Sequence, residues 1–212
     1  MHDEESISMS ERGKFITLEG VDGAGKSTHV DWIAERLRGE GHAVLVTREP
    51  GGTPLAEQLR ALVLAEAMDP ITETLLMFAA RADHVAKRIR PALAAGTWVL
   101  CDRFTDATAA YQGAGKGVST ELVERLAAAA HPGLHPDRTL VFDCSYEVSQ
   151  ARLRGSGRPM DRFEQQDRSF FERVRECYLC RARAEPGRIH VIDGAGTVQE
   201  VKKAIEKYLI FT

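Results

Sequence analysis

Apolar positions change period along the chain. Phe15-Ile16-Thr17-Leu18 is a short β-prone run, and after Lys26 the residues Val30, Ile33, Ala34 and Leu37 fall at helical spacing. Similar short runs rich in Val, Leu, Ile or Phe predict strands over Lys14–Glu19, Ala43–Thr47, Trp98–Asp102, Thr139–Asp143 and Arg188–Ile192. Helical patterns lie between them. Thr53-Pro54 marks a helix start, because Thr caps well and Pro suits the first helical position. A longer helix is predicted after Thr72, with Leu75, Ala79, Ala82, Ala86, Ile89 and Leu93 as one buried stripe that Pro91 kinks or ends. Strands alternating with helices at these lengths imply an α/β fold: a five-stranded parallel sheet with helices on both faces. Such sheets bind ligands at the carboxyl ends of their strands, so the chemistry should follow the strands. With no internal repeat or linker, the pattern reads as a single domain over 14–212. An extension, 1–13, precedes it and carries Asp3, Glu4, Glu5 and Glu11 but no apolar run.

The turn after the first strand reads G-V-D-G-A-G-K-S, from Gly20 to Ser27, which matches the P-loop pattern G-x-x-x-x-G-K-S/T in its strand-to-helix context. Gly20, Gly23 and Gly25 let successive N–H groups turn inward on phosphate oxygens, and the positive end of the following helix adds to the attraction. Lys26 is expected at the β- and γ-phosphates and the Ser27 hydroxyl at Mg²⁺. The fold is thus of P-loop NTPase type. A P-loop alone does not separate a switch from a kinase. The chain contains no asparagine, which removes the N-K-x-D guanine reader of GTPases.

Composition narrows the partners. The 212 residues are 43% hydrophobic and 28% charged with net charge −3, ordinary for a soluble globular protein and unlike a general nucleic-acid binder. No apolar stretch approaches the length of a membrane span. Of four cysteines, Cys177 and Cys180 form a C-x-x-C inside a helical stretch with no second Cys/His pair nearby, so they read as small helix residues; the absence of a disulfide framework fits the cytoplasm.

Two further strand ends carry paired charge. Thr47-Arg48-Glu49-Pro50-Gly51-Gly52 follows the second predicted strand, and Asp102-Arg103-Phe104 ends the third. Arg48 and Arg103 are placed to grip an anion, and Asp102 to orient Mg²⁺ or its water shell. Downstream, Arg152, Arg154, Arg158 and Arg162 are interrupted by Gly155-Ser156-Gly157 and Pro159, which predicts a mobile, arginine-rich lid over about 152–162 rather than a helix.

These segments, together with L-L-M-F-A-A-R at Leu75–Arg81, A-Y-Q-G at Ala110–Gly113 and M-D-R-F-E at Met160–Glu164, resemble the thymidylate kinases over all but the N-terminal extension. The resemblance implies phosphoryl transfer from ATP-Mg²⁺ to dTMP, giving dTDP and ADP, by a homodimer using helix faces around Leu75–Leu93. It implies that Phe78 stacks on thymine, Arg81 donates to its O4, and Thr108 and Gln112 contact the base or its neighbourhood. Tyr111 would fill the place of a ribose 2′-OH. Asp22 would accept from the 3′-OH or orient the acceptor phosphate region, and Arg48 and Arg103 would hold that phosphate. ATP would contact Gly20, Val21, Asp22, Gly23, Ala24, Gly25, Lys26, Ser27 and Thr28, with Arg152 against adenine. Arg154 and Arg158 would close on the transferring group, so that Lys26, Arg48, Arg103, Arg154 and Arg158 form the catalytic set. The alternatives are a P-loop kinase for another acceptor and an ATPase module coupled to a partner; acceptor-dependent ADP release separates these.

Overall fold

The computed structural model describes residues 12–157 and 159–211. In chain order the elements are β1 (Phe15–Gly20), α1 (Lys26–Gly39), β2 (Val44–Arg48), α2 (Pro54–Ala65), α3 (Pro70–His84), a π-helical turn (Val85–Ile89) and α4 (Arg90–Ala94). There follow β3 (Trp98–Asp102), α5 (Thr105–Thr108), a second π-helical segment (Ala109–Gly115), α6 (Thr120–Ala130), β4 (Arg138–Asp143), α7 (Tyr146–Gly155), α8 (Arg168–Ala184), β5 (Ile189–Asp193) and α9 (Val198–Glu206). The five strands form one parallel sheet in the order β2-β3-β1-β4-β5. β1 sits at the switch point, with β3 on one side and β4 on the other, where a crevice opens at the strand ends.

Both faces of the sheet are covered, because successive side chains of a strand point to opposite faces. Ile16 and Leu18 of β1 and Leu100 of β3 join the core beneath α1, α8 and α9, while Phe15, Val99 and Cys101 join Val85, Ile89 and Leu93 on the other side. Caps set the helix starts: Thr53, Asp69, Ser119, Ser145, Asp167 and Thr197 each accept a backbone N–H of the helix that follows.

The long helix departs from the predicted stripe. Leu75, Ala79 and Ala86 are exposed and Ala82 is half-buried; only Ile89 and Leu93 are buried. The inward face of α3 carries Glu73, Thr74, Phe78, Arg81 and His84 instead. The π-helical turn widens the spiral and shifts the buried face, and the predicted row enters the core only at Ile89, the last residue of that turn. Nor does Pro91 end the helix, which continues to Ala94.

Candidate active site

The phosphate-binding turn is built by close packing as much as by composition. At Gly20 the backbone adopts φ 124°, and a Cβ there would stand 2.2 Å from the Phe142 carbonyl oxygen, so only glycine lets β1 leave the sheet along β4. Lys26 opens α1 and folds its ammonium over the loop, donating to the Gly20 and Val21 carbonyls at 3.0 Å each. Burial, joined by the charge of Arg103, pulls the Lys26 pKa below its ordinary value against the pull of Asp102, Asp22 and Glu19. Ser27 and Thr28 lie exposed in the first turn. From α7, Arg152 reaches the Gly23 and Ala24 carbonyls at 3.3 Å each and so lies against the loop.

One cleft brings together Lys26, Ser27, Arg48, Arg60, Asp102 and Arg103. Asp102 Oδ1 is buried and has no hydrogen-bond partner, an unsatisfied acceptor that a cation would complete. Arg48 is exposed and pairs with Glu57 at 2.9 Å. Arg60, from α2, donates to the Pro50 carbonyl at 3.1 Å.

Arg103 is the only non-glycine residue at positive φ among the described residues, at 70°. That conformation costs about 1–2 kcal/mol for a residue with a Cβ. It aims the guanidinium at Asp22, 2.7 Å away, and at the Tyr111 hydroxyl, 3.0 Å away; Tyr111 in turn donates to Asp22 at 2.7 Å. Burial alone would raise the Asp22 pKa, but Arg103 and Lys26 more than offset it, so Asp22 is held below the usual carboxylate range.

A second cavity adjoins the cleft and shares Asp22, Arg60 and Arg103 with it. Arg81 is fixed on its wall. Its Nε donates to Glu49 at 2.5 Å, and its Nη2 donates to the Phe104 carbonyl at 3.1 Å and the Thr108 hydroxyl at 3.0 Å. Glu49 is held from its other oxygen by His84 at 3.0 Å, whose far nitrogen meets Thr47 at 2.7 Å. Arg81 Nη1 remains: buried and without a partner.

The chain matches the thymidylate kinase family model over residues 18–205. It belongs to the thymidylate kinase family. It is 54% identical to the thymidylate kinase of Bordetella petrii over 201 residues, covering 95% of this chain and 97% of that one. It is 56% identical to that of Thiobacillus denitrificans over 201 residues, covering 95% and 98%. The crystal structure of thymidylate kinase from Ehrlichia chaffeensis superposes with a TM-score of 0.76 at 34% identity, covering 93% of this chain and 98% of that one.

Several family-derived expectations meet the geometry differently. Phe78 is not on the cavity wall; it packs with Val118 and Val123, and the Arg81 guanidinium lies 4.7 Å above its ring. Met77, four residues before Arg81 and so on its face of the helix, lines the cavity instead. Thr108, Tyr111 and Gln112 do line it, but the Gln112 amide donates to Glu73 at 2.8 Å and is engaged in holding the fold. The basic segment is not a loop throughout. Arg152 and Arg154 ride on α7, which a Ser145 cap and buried Leu153 extend to Gly155. Arg154 is exposed and donates to the Gln150 carbonyl of its own helix. Arg158 lies outside the described residues. Arg162 is tied down, donating to the Val63 carbonyl and to the Glu73 carboxylate. Cys177 and Cys180 both lie on α8, and all four cysteines are free thiols.

The sequence reading missed Arg60 and Met77, and it missed Glu49 as the carboxylate that orients Arg81. An arginine at Arg60, two helical turns after the Thr53 cap, carries no local signal. The spacing of four between Met77 and Arg81 was available as a signal.

Proposed function

We propose that the protein transfers the γ-phosphoryl group of ATP to dTMP, giving dTDP and ADP in the route to dTTP. The observation that carries this reading is the unpartnered Nη1 of Arg81, on the wall of a cavity that adjoins the P-loop cleft. A guanidinium only donates, so it suits the O4 carbonyl of thymine and opposes the amino group of cytosine. Met77 offers an apolar face to the ring, and Thr108 lies beside Arg81. Tyr111, locked to Asp22 and Arg103, is assigned the place of a ribose 2′-OH, which favours a deoxyribose.

The acceptor is a phosphate monoester with a second pKa of about 6, hence largely a dianion at pH 7 and already nucleophilic. No general base is needed. The barrier is the alignment of two polyanions, which falls to positioning and charge. Arg48, Arg60 and Arg103 face the acceptor phosphate, while Lys26 and the amides of the turn hold the β- and γ-phosphates. Mg²⁺ fits Ser27 and Asp102, two hard oxygen donors of which the carboxylate has an unsatisfied atom. When bound it supplies positive charge against the donor phosphates. Arg152 is assigned to adenine, and Arg154 or Arg158 to the transferring phosphoryl once the lid closes and excludes water.

The test is ADP release with ATP and Mg²⁺ against dTMP, dUMP, dCMP, UMP, AMP and thymidine. Strong preference for dTMP over dCMP and UMP is expected. Acceptor-independent release, or preference for a cytosine or ribose acceptor, overturns the assignment.

We also propose a homodimer in the cytoplasm. Leu55 and Leu62 on α2 and Ile71 and Leu75 on α3 are exposed on two helices packed together, an apolar face of the kind that a second copy covers. A monomer by sedimentation at micromolar concentration would contradict it. No helix among the described residues is long and apolar enough to cross a membrane.

A further inference from the structure

One buried carboxylate is left over by the mechanism. Glu19, the penultimate residue of β1, is fully buried and does not line the cleft or the adjoining cavity. Its Oε1 accepts the Phe104 N–H at 2.7 Å and its Oε2 accepts the Tyr178 hydroxyl at 2.8 Å. These two contacts bracket Arg103. The Arg103 N–H still donates to the Leu18 carbonyl at 2.9 Å, continuing the β1–β3 ladder. The next N–H, that of Phe104, is then drawn into Glu19, and the chain makes this turn with Arg103 at φ 70°. The Tyr178 hydroxyl, having donated to Glu19, accepts from Arg103 Nη1 at 3.3 Å. The Phe104 carbonyl accepts Arg81 Nη2. Glu19 therefore touches, through one intermediate each, both the arginine assigned to the phosphate and the arginine assigned to the base.

We propose that Glu19 is a positioning residue for acceptor binding, holding Arg103 in its strained conformation through Phe104 and Tyr178. The proposal rests on the reading of Arg103 as an acceptor-phosphate ligand. A carboxylate suits the task because it accepts at both oxygens. A glutamine accepts at one and offers an amide donor at the other, which turns the Tyr178 hydroxyl away from its present direction and loosens the support of Arg103.

The experiment measures steady-state kinetics of Glu19→Gln, Arg103→Ala and the double variant, varying dTMP and ATP separately. Wild-type turnover of dTMP is the first control: its absence would remove the functional reading itself, independently of Glu19. Given turnover, Glu19→Gln should raise the KM for dTMP by roughly ten-fold or more, the scale of a charge-assisted hydrogen bond. The KM for ATP should stay within about two-fold, because the donor phosphates are held by the turn and Lys26. In the Arg103→Ala background the same change should add nothing further, since the residue it positions is gone. Equal rises in both KM values, or additive effects in the double variant, would show a general structural role and overturn the proposal. So would an unchanged KM for dTMP. If Glu19→Gln does not fold, Tyr178→Phe cuts one arm alone and should give a smaller rise of the same selectivity; no selectivity there would equally refute it.

Discussion

Keeping Glu19 ionised inside the sheet has a cost that pH can expose. Burial, with the nearby Asp106 carboxylate adding to it, raises its pKa from the ordinary 4.5 to about 7, against the lowering pull of Arg103, Tyr178 and the Phe104 N–H. Lys26 faces it as well. Between these two values the folded protein holds a proton that the unfolded chain releases. Folding is then favoured at the acid end of that window, and the advantage is lost as pH rises through 7. A difference of this size is worth about 3 kcal/mol in total, at about 1.4 kcal/mol for each unit. Glu19→Gln abolishes the titration. The stability of the wild type relative to Glu19→Gln should therefore fall by about 2–3 kcal/mol between pH 5 and pH 8. The assay is urea unfolding of both proteins at several pH values in that range. Groups common to both cancel in the difference, including His131, which burial pushes down to about 4 and which titrates with the opposite slope. A constant difference across the range, or one of opposite sign, would refute the argument that burial raises the Glu19 pKa in the folded protein.

The other predictions concern the site directly. Asp102→Asn should retain the fold by circular dichroism but raise the Mg²⁺ concentration for half-maximal activity roughly 10- to 100-fold; an unchanged Mg²⁺ requirement would discount Asp102 as a ligand. Phe78→Ala should cost about 3–5 kcal/mol in unfolding experiments, as truncation of a core aromatic does. Met77→Ala should act chiefly on the KM for dTMP, and the reverse partition would return Phe78 to the base. Arg81→Ala should abolish the preference for dTMP over dCMP and also destabilise the fold by about 3–5 kcal/mol, because it strands the buried Glu49 carboxylate; retained discrimination would refute the O4 assignment. Alanine at Arg154 and Arg158, singly and together, should lower kcat by roughly 10³-fold where the transferring phosphoryl is contacted; unchanged kcat in all three variants would remove the lid from catalysis.

What could be read from the chain follows from how local each signal is. The strands and the phosphate-binding turn were legible because β1 to β5 are short apolar runs and the Gly20–Ser27 turn needs its glycines in fixed places. Arg48, Asp102 and Arg103 were legible because strand ends of a parallel sheet converge, and they do share one cleft. The stripe on the long helix was not, because the usual equation of apolar with buried fails where a helix must present Glu73, Arg81 and His84 to the interior. Each of these is compensated by a partner from another part of the chain: Lys116 and Arg162 for Glu73, Glu49 for both Arg81 and His84. Glu73 and Lys116 are 43 positions apart, and Glu49 and Arg81 are 32 apart. No window of local periodicity spans such pairs. Glu19 shows the same limit in its sharpest form. In the sequence it is the polar end of an apolar strand, indistinguishable from a residue facing solvent. Only the fold reveals that Tyr178, 159 positions away, and Phe104, 85 positions away, both donate to that carboxylate on either side of Arg103.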